Sequence, residues 1–421
     1  MKGYLRSATA VSRPKVVGSV SLGHGVNEFF SIVIPPVIPL LVTELGISYA
    51  QAGLLLTVFF IMYSIFQLPA GIIADHIGKA RLIIAGLAGM SLGIFLASMA
   101  PTFEVLLLAQ CLTGICGSTF HPAGMAIVSD AETGATEGRA MGLFGSGGKV
   151  GTMAAPLLVG GIAAIGGWRI ALVGAAVMGL ITTIALIPVL GFGRRKRDSN
   201  GDQLRRDGGQ SVGQKDRIRN ILSSIKIPVT KQVVILFFVT ILISIQSRAI
   251  QTFTTAYLVE GTQVSISVGN IGFFALLLGG GVSQIISGSL ADQFNRGIIG
   301  GVASILTAVL VGGTILIAMI GGIIRFELLV LLIFAWLFLI GAMMYSTSPI
   351  KNALVSEMAS KEYSGGLFGV IQTGSAIGSA IGPVLFGVIA TEWGITAAYP
   401  VVAIVSVALA VLFFVLWALN R

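Results

Sequence analysis

Charge is what this chain of 421 residues lacks. Only 10% of it is Asp, Glu, Lys or Arg, against about 25% in soluble proteins. Cysteine is nearly absent, at two. Cys111 and Cys116 lie five apart in one apolar stretch, so on a helix they occupy different faces, and neither a disulfide framework nor a metal-binding spacing results. The phosphate loop G-x-x-x-x-G-K-[ST] is missing, as are a nucleophile–base set and a metal cluster. These absences exclude a disulfide scaffold and an ATP-driven machine. They lead to the expectation of a protein that is not an enzyme and carries no cofactor and no metal.

What is present is apolar. Hydrophobic residues make up 55% of the chain, with a mean hydropathy of +0.95. A water-soluble fold could not hide that much, because roughly a quarter of its unfolded surface stays exposed. A transmembrane helix takes about 20 apolar residues. The apolar runs fall at 16–45, 49–75, 81–100, 102–129, 139–165, 168–192, 232–259, 266–292, 297–320, 327–357, 364–390 and 394–418, here spans 1 to 12. The 56 glycines suit close helix packing in lipid. The first run is too long for a signal peptide and shows no A-x-A cleavage site, so it is expected to stay as span 1.

The basic residues are placed unevenly. Of 26 Lys and Arg, eleven fall between Arg194 and Lys231. A basic stretch could bind nucleic acid. The positive-inside rule instead makes it a cytoplasmic loop, and no nucleic-acid partner is expected. Lys2, Arg6, Arg13 and Lys15 precede span 1, Lys79 and Arg81 lie between spans 2 and 3, and Arg139 between 4 and 5. Arg296 lies between spans 8 and 9, and Lys361 between 10 and 11. The opposite loops carry only Arg169 and Arg325. The expectation is a multi-pass inner-membrane protein with both termini cytoplasmic: a six-helix bundle over 1–192, a basic linker over 193–231 and a second bundle over 232–421.

The two halves repeat. Pro122 to Asp130 (PAGMAIVSD) matches Pro349 to Glu357 (PIKNALVSE) at an offset of 227, which also aligns Gly142, Gly151 and Pro156 with Gly369, Gly378 and Pro383. Gly71 to Asp75 (GIIAD) matches Gly288 to Asp292 (GSLAD) at an offset of 217. A duplicated six-span unit suits a transporter, because two similar halves can rock about a central site. The fold expected is all-α, with 12 transmembrane helices in two pseudo-symmetric six-helix bundles.

Gly71, Asp75, Gly78, Lys79 and Arg81 resemble the loop 2–3 signature of the major facilitator superfamily, G-x-x-x-D-R-x-G-R-[KR]. His76 stands where that signature has Arg. In the second copy Gly288, Asp292 and Arg296 remain, and Asn295 holds the second Gly position. The resemblance implies that Asp75 latches the cytoplasmic side in the outward-facing state by meeting the N-terminal dipole of a facing helix, here span 11. His24 with Asn27, Ser48 to Leu54 (SYAQAGL) and Phe120-His121-Pro122 are similar to the fosmidomycin resistance branch, whose members are drug:proton antiporters. Gly151, Ala155, Pro156, Gly160 and Gly161 partly match the antiporter signature of span 5, though plain close packing accounts for them equally. Gln110 stands at the family's span 4 arginine, so no proton relay is carried over there.

Ionisable side chains inside hydrocarbon cost several kcal/mol and mark pathways. Span 1 carries His24 and Glu28, i and i+4 on one face. His24 lies about 13 Å beyond Lys15, His121 of span 4 about 13 Å before Asp130, and Lys149 of span 5 about 15 Å beyond Arg139, at 1.5 Å per residue. Four groups thus share one depth. A carboxyl poised between burial and neighbouring cations can load and release a proton, so Glu28, His24, His121 and Lys149 are candidates for proton coupling. The competing reading is a fixed Glu28–Lys149 ion pair with both histidines as packing groups. Arg248 in span 7 and Lys351 in span 10 add positive charge, although Lys351 could simply snorkel. This excess favours an anionic substrate, with Lys149, Arg248, Lys351, Asn27, Gln246 and Gln372 as binding candidates. Phe59-Phe60 and Phe273-Phe274 read as lipid-facing or core.

The function expected is secondary active transport by a monomer, exporting a small organic anion or drug in exchange for protons. One rival is a proton symporter importing an anionic metabolite. The other is a non-transporting sensor or scaffold whose basic loop recruits a partner. An ion channel conflicts with the two-half architecture.

Overall fold

The computed structural model describes residues 11–191, 230–358 and 364–419. The linker expected over 193–231 lies outside them apart from Thr230 and Lys231, and so do Lys2, Arg6 and Lys361. The long apolar helices among the described residues are Pro14–Leu45, Tyr49–Ile77, Lys79–Ser98, Phe103–Ala131, Glu137–Leu190, Lys231–Thr262, Ile266–Gln293, Arg296–Ile320, Phe326–Met358, Gly366–Trp393 and Ile395–Leu419. The fifth has 54 residues. One rod of that length would run about 80 Å, against about 30 Å of hydrocarbon. It breaks at Gly167, where φ is 79° and ψ 168°, a conformation essentially restricted to glycine. Spans 5 and 6 are therefore two helices, and the described residues hold twelve apolar helical segments long enough to cross a membrane.

Proline reshapes span 1. The α-helix Pro14–Ser31 gives way to a 3-10 turn at Pro35–Val37 and resumes at Ile38–Leu45, because Pro35 and Pro36 lack the N–H that an unbroken helix needs. Span 2 begins on a capping box. Ser48 Oγ accepts from the Gln51 N–H at 3.1 Å, and Gln51 Oε1 accepts from the Ser48 N–H at 2.9 Å, so two otherwise orphaned donors are satisfied. Large apolar side chains such as Ile285, 81% exposed, face outward, as a lipid solvent allows.

The repeat is visible in the contacts. Lys79 Nζ meets Asp130 Oδ2 at 2.6 Å, and Arg296 Nη1 meets Glu357 Oε2 at 2.5 Å. Both partners are related by the sequence offsets. Gly78, at φ 96°, is replaced in the second copy by Asn295, whose Oδ1 caps span 9 by accepting from the Gly297 and Ile298 N–H groups at 3.0 and 3.2 Å. A turn made with glycine in one half is made with a capping side chain in the other. Gly151 and Gly378 serve the same close approach. A Cβ on Gly151 would stand 1.8 Å from Gly25 O of span 1, and one on Gly378 2.3 Å from Ile241 O of span 7. The span 5 motif therefore works here as helix packing.

The basic side carries Arg139 as well as these pairs. The two opposite-side arginines are each paired with an acid: Arg169 Nη1 with Glu44 at 3.3 Å and Arg325 Nε with Glu327 at 3.6 Å.

Candidate functional site

A cavity of about 600 Å³ lies between the halves, walled by spans 1, 2 and 4 of the first and 7 and 11 of the second. It opens toward the basic side. Its span 2 wall runs from Phe59 to Leu68, and a hollow of about 430 Å³ continues from Gln67 past Gly71 to Asp75 and Lys79. The opposite side is shut by contacts between the halves. The Ala50 N–H donates to Thr391 Oγ1 at 2.9 Å, Thr57 Oγ1 to the Ala380 carbonyl at 2.6 Å, and Asn270 Nδ2 to the Pro36 carbonyl at 3.1 Å. The Tyr49 hydroxyl donates to the Glu260 carboxylate. Gly53 and Gly387 let spans 2 and 11 touch there: a Cβ on Gly53 would stand 2.3 Å from Pro383 O, and one on Gly387 2.4 Å from Tyr49 O.

The cavity wall holds a triad. Glu28 Oε1 lies 3.7 Å from His24 Nε2 and 3.8 Å from His121 Nε2. His24 is 8% exposed at its side chain and stacks on Phe144, with ring centroids 4.0 Å apart. Gly148 makes the space, since a Cβ there would stand 2.5 Å from the His24 ring. His24 Nδ1 lies 2.7 Å from the Phe144 carbonyl. That oxygen can only accept, so Nδ1 carries the proton and Nε2 of the neutral ring is a bare lone pair. Nε2 has no hydrogen-bond partner.

A second chain orients His121. Asn27 Nδ2 donates to the Gly117 carbonyl at 3.0 Å and contacts Met90 Sδ at 3.2 Å, which leaves Oδ1 to accept from the Tyr63 hydroxyl at 3.3 Å. The Tyr63 oxygen then accepts from His121 Nδ1 at 3.0 Å. By this assignment His121 Nε2 is a lone pair too. Three acceptors converge, all within 4.8 Å of one another. This is the group among the described residues that could hold a metal ion.

The facing half supplies positive charge. The Arg248 guanidinium sits 4.2 Å over the Phe60 ring and donates to Gln251 Oε1 at 2.9 Å. Gln251 donates in turn to the Tyr345 hydroxyl, and the Lys149 ammonium stands 5.9 Å from the Tyr345 ring centroid. Lys149, Gln251 and Tyr345 line a small adjoining pocket of about 30 Å³. A polar line therefore runs from Arg248 across to Lys149 of the other half.

The candidates divide accordingly. Glu28, His121, Arg248 and Gln372 line the main cavity, His24 stands behind Glu28, and Lys149 turns to span 10. Within 4.0 Å, Glu28 pairs with the two histidines and not with Lys149, so the fixed Glu28–Lys149 pair is not formed. Asn27 is buried and positions Tyr63. Gln246 donates to Ser406 Oγ of span 12 at 2.7 Å and does not line the cavity, and Lys351 is half-buried away from its lining. Phe59 and Phe60 are buried in the core, as read from the sequence, and also border the cavity; Phe273 is core. Sequence reasoning passed over Tyr63, Gln251 and Tyr345. In the gating motif, Asp75 is exposed and lines the open hollow with Gly71 and Lys79. Gly71 and Gly288 have free space around them. Gly78 and Arg81 lie exposed at the same loop, and Asp292 lies exposed beside Arg296.

The family model for the Major Facilitator Superfamily matches residues 20–336 and 236–421. The chain belongs to the major facilitator superfamily. It is 26% identical over 413 residues to the multidrug resistance protein MdtG of Escherichia fergusonii, covering 93% of this chain and 90% of that one. It is 26% identical over 286 residues to the fosmidomycin resistance protein of Escherichia coli, covering 67% and 66%. Among solved structures, a bacterial homologue of the human lysosomal transporter Spinster, described as inward-facing and occupied, shares the fold at a TM-score of 0.78 and 15% identity, covering 96% of this chain and 97% of that one. This superfamily member is thus a multi-pass membrane transporter with drug-resistance relatives.

Proposed function

We propose that this chain exports a small organic anion or drug in exchange for protons by alternating access, and that a monomer suffices because each chain has its own cavity. The observation that carries the reading is the triad of Glu28, His24 and His121 on the wall of a cavity whose far wall bears Arg248. Two lone pairs and a carboxylate facing one another at 3.7 and 3.8 Å need a cation between them, and a proton on either imidazole lets it donate to Glu28. Arg248, with Gln372 beside it and Lys149 near it, suits an acidic group on the cargo, which Phe59, Phe60 and Met125 could hold by its apolar part. The positive-inside rule makes the basic side cytoplasmic, with both ends of the chain there. The cavity then stands open to the cytoplasm, ready to load cargo for export from an inner membrane. The resistance functions named for the two relatives agree with export. Asp75 and the glycine-flanked loops would re-form the cytoplasmic closure in the other state.

The test is transport into inverted vesicles with an imposed pH gradient, using fosmidomycin, other phosphonates, carboxylates and sugar phosphates as probes. Anion movement against the proton flow is the expected result. Movement with the protons would convert the reading to symport. A folded chain that moves none of the probes would contradict transport of an anion.

A further inference from the structure

We propose that His24, Glu28 and His121 form a binding site for a first-row divalent transition metal ion, which competes with the coupling proton for the same lone pairs. The inference rests on the reading of this triad as the cavity's cation site. The donor set is two imidazole nitrogens and one carboxylate oxygen, which suits zinc, cobalt or nickel better than magnesium or calcium. The two nitrogens lie 3.7 and 3.8 Å from the carboxylate, and all three ligand atoms lie within 4.8 Å of one another; bonds of about 2.0–2.1 Å set tetrahedral ligands about 3.3 Å apart, so a bound ion would draw the three together.

A second, independent observation points at the same spot. His24 Nε2 is buried, its side chain 8% exposed, with no hydrogen-bond partner, and it faces Glu28. Each ring's other nitrogen is already engaged, His24 by the Phe144 carbonyl at 2.7 Å and His121 by Tyr63 at 3.0 Å. Such outer contacts fix ring orientation and tautomer at metal centres. Three protein ligands leave the fourth position open to the cavity. Arg248 lines that cavity, and its charge opposes a second cation. Neutralising it therefore tightens metal binding, a direction of change that a purely structural disturbance would not produce.

The experiment is a Co²⁺ titration of the purified full-length chain in detergent, without a polyhistidine tag and after chelator treatment, followed by visible absorption and by displacement with Zn²⁺. One Co²⁺ per chain is expected, with the absorption of a nitrogen- and oxygen-ligated ion of low coordination number. Glu28→Gln, His24→Gln and His121→Gln should each lose the band. Tyr63→Phe, a positioning change, should weaken binding about 10-fold while keeping the band's shape. Arg248→Gln should strengthen it. His76→Gln and the Cys111→Ser/Cys116→Ser pair should leave it as it is. The wild-type titration alone is decisive if a variant fails to fold: no cobalt band in the folded wild-type chain overturns the inference, as does a band that survives in a folded His24→Gln/Glu28→Gln chain. A chain that carries out proton-driven transport yet binds no Co²⁺ when titrated overturns this inference and leaves export standing. Cobalt at the triad of a chain that moves no anion supports it while the export reading falls.

Discussion

Gly53→Ala places one methyl group where the two halves meet on the closed side. Its Cβ would stand 2.3 Å from Pro383 O, 2.7 Å from Pro383 C and 3.0 Å from Val384 Cα. All three are backbone atoms and cannot swing aside. Overpacking of this kind costs about 1–3 kcal/mol. The clash exists only while spans 2 and 11 touch, and rocking the halves apart on that side removes it. A bias of about 2 kcal/mol corresponds to roughly a 30-fold loss of the basic-side-open state relative to its alternative. The assay is the labelling rate of a cysteine placed at Ser375, on the cavity wall, by a membrane-impermeant maleimide, with Cys111 and Cys116 replaced by Ser. Labelling from the basic side should slow, with that factor as the upper limit, reached when the open state is the minor one. Gly18→Ala, whose Cβ meets nothing within 4 Å, should change nothing. A folded Gly53→Ala chain labelled from the basic side at the wild-type rate would refute the claim that this contact belongs to one state of a two-state cycle.

Other outcomes follow from single contacts. Arg248→Gln removes a charge-assisted contact worth about 1.5–3 kcal/mol; the dissociation constant of the transported anion should rise about 10- to 100-fold, and an unchanged constant would remove Arg248 from the binding site. Glu132 closes the loop after span 4. Burial pushes its carboxyl up, but the Ser12 and Arg13 N–H groups, bound at 2.9 and 2.6 Å, prevail and hold it down at about 2, below the ordinary 4.5. A carboxyl lowered on folding stabilises above its unfolded value and loses that contribution as pH falls through the folded one. Thermal melting should therefore weaken between about pH 4.5 and 2, and Glu132→Gln should lack that component; parallel wild-type and variant curves would contradict it.

The number of crossings was legible because lipid demands about 20 apolar residues for each, and the duplication because its motifs stay in order. The break at Pro35 and Pro36 was written in the sequence but lay inside an apolar run that hydropathy alone reads as one helix. The meeting of His24, Glu28 and His121 followed from their spacing along spans 1 and 4, whereas direction around a helix was not readable. The azimuth of Lys149 carries it to Tyr345. Gln246 precedes Arg248 by two residues, about 200° around the helix at 3.6 residues per turn, so one faces span 12 while the other faces the cavity. Asn27 is displaced from Glu28 by about 100° for the same reason and becomes a support. Gln251 could have been found, since it lies three residues beyond Arg248 and shares its face. Tyr345 had no comparable signal, because only tertiary packing brings span 10 against span 5.

The central claim is that one carboxylate, held between two imidazoles, couples proton and cargo. Its most direct measurement compares pH-gradient-driven accumulation with anion counterflow for Glu28→Gln in sealed vesicles. The variant should keep counterflow, because the cavity and Arg248 remain, and lose accumulation driven by the gradient. Gradient-driven accumulation at the wild-type rate would contradict it.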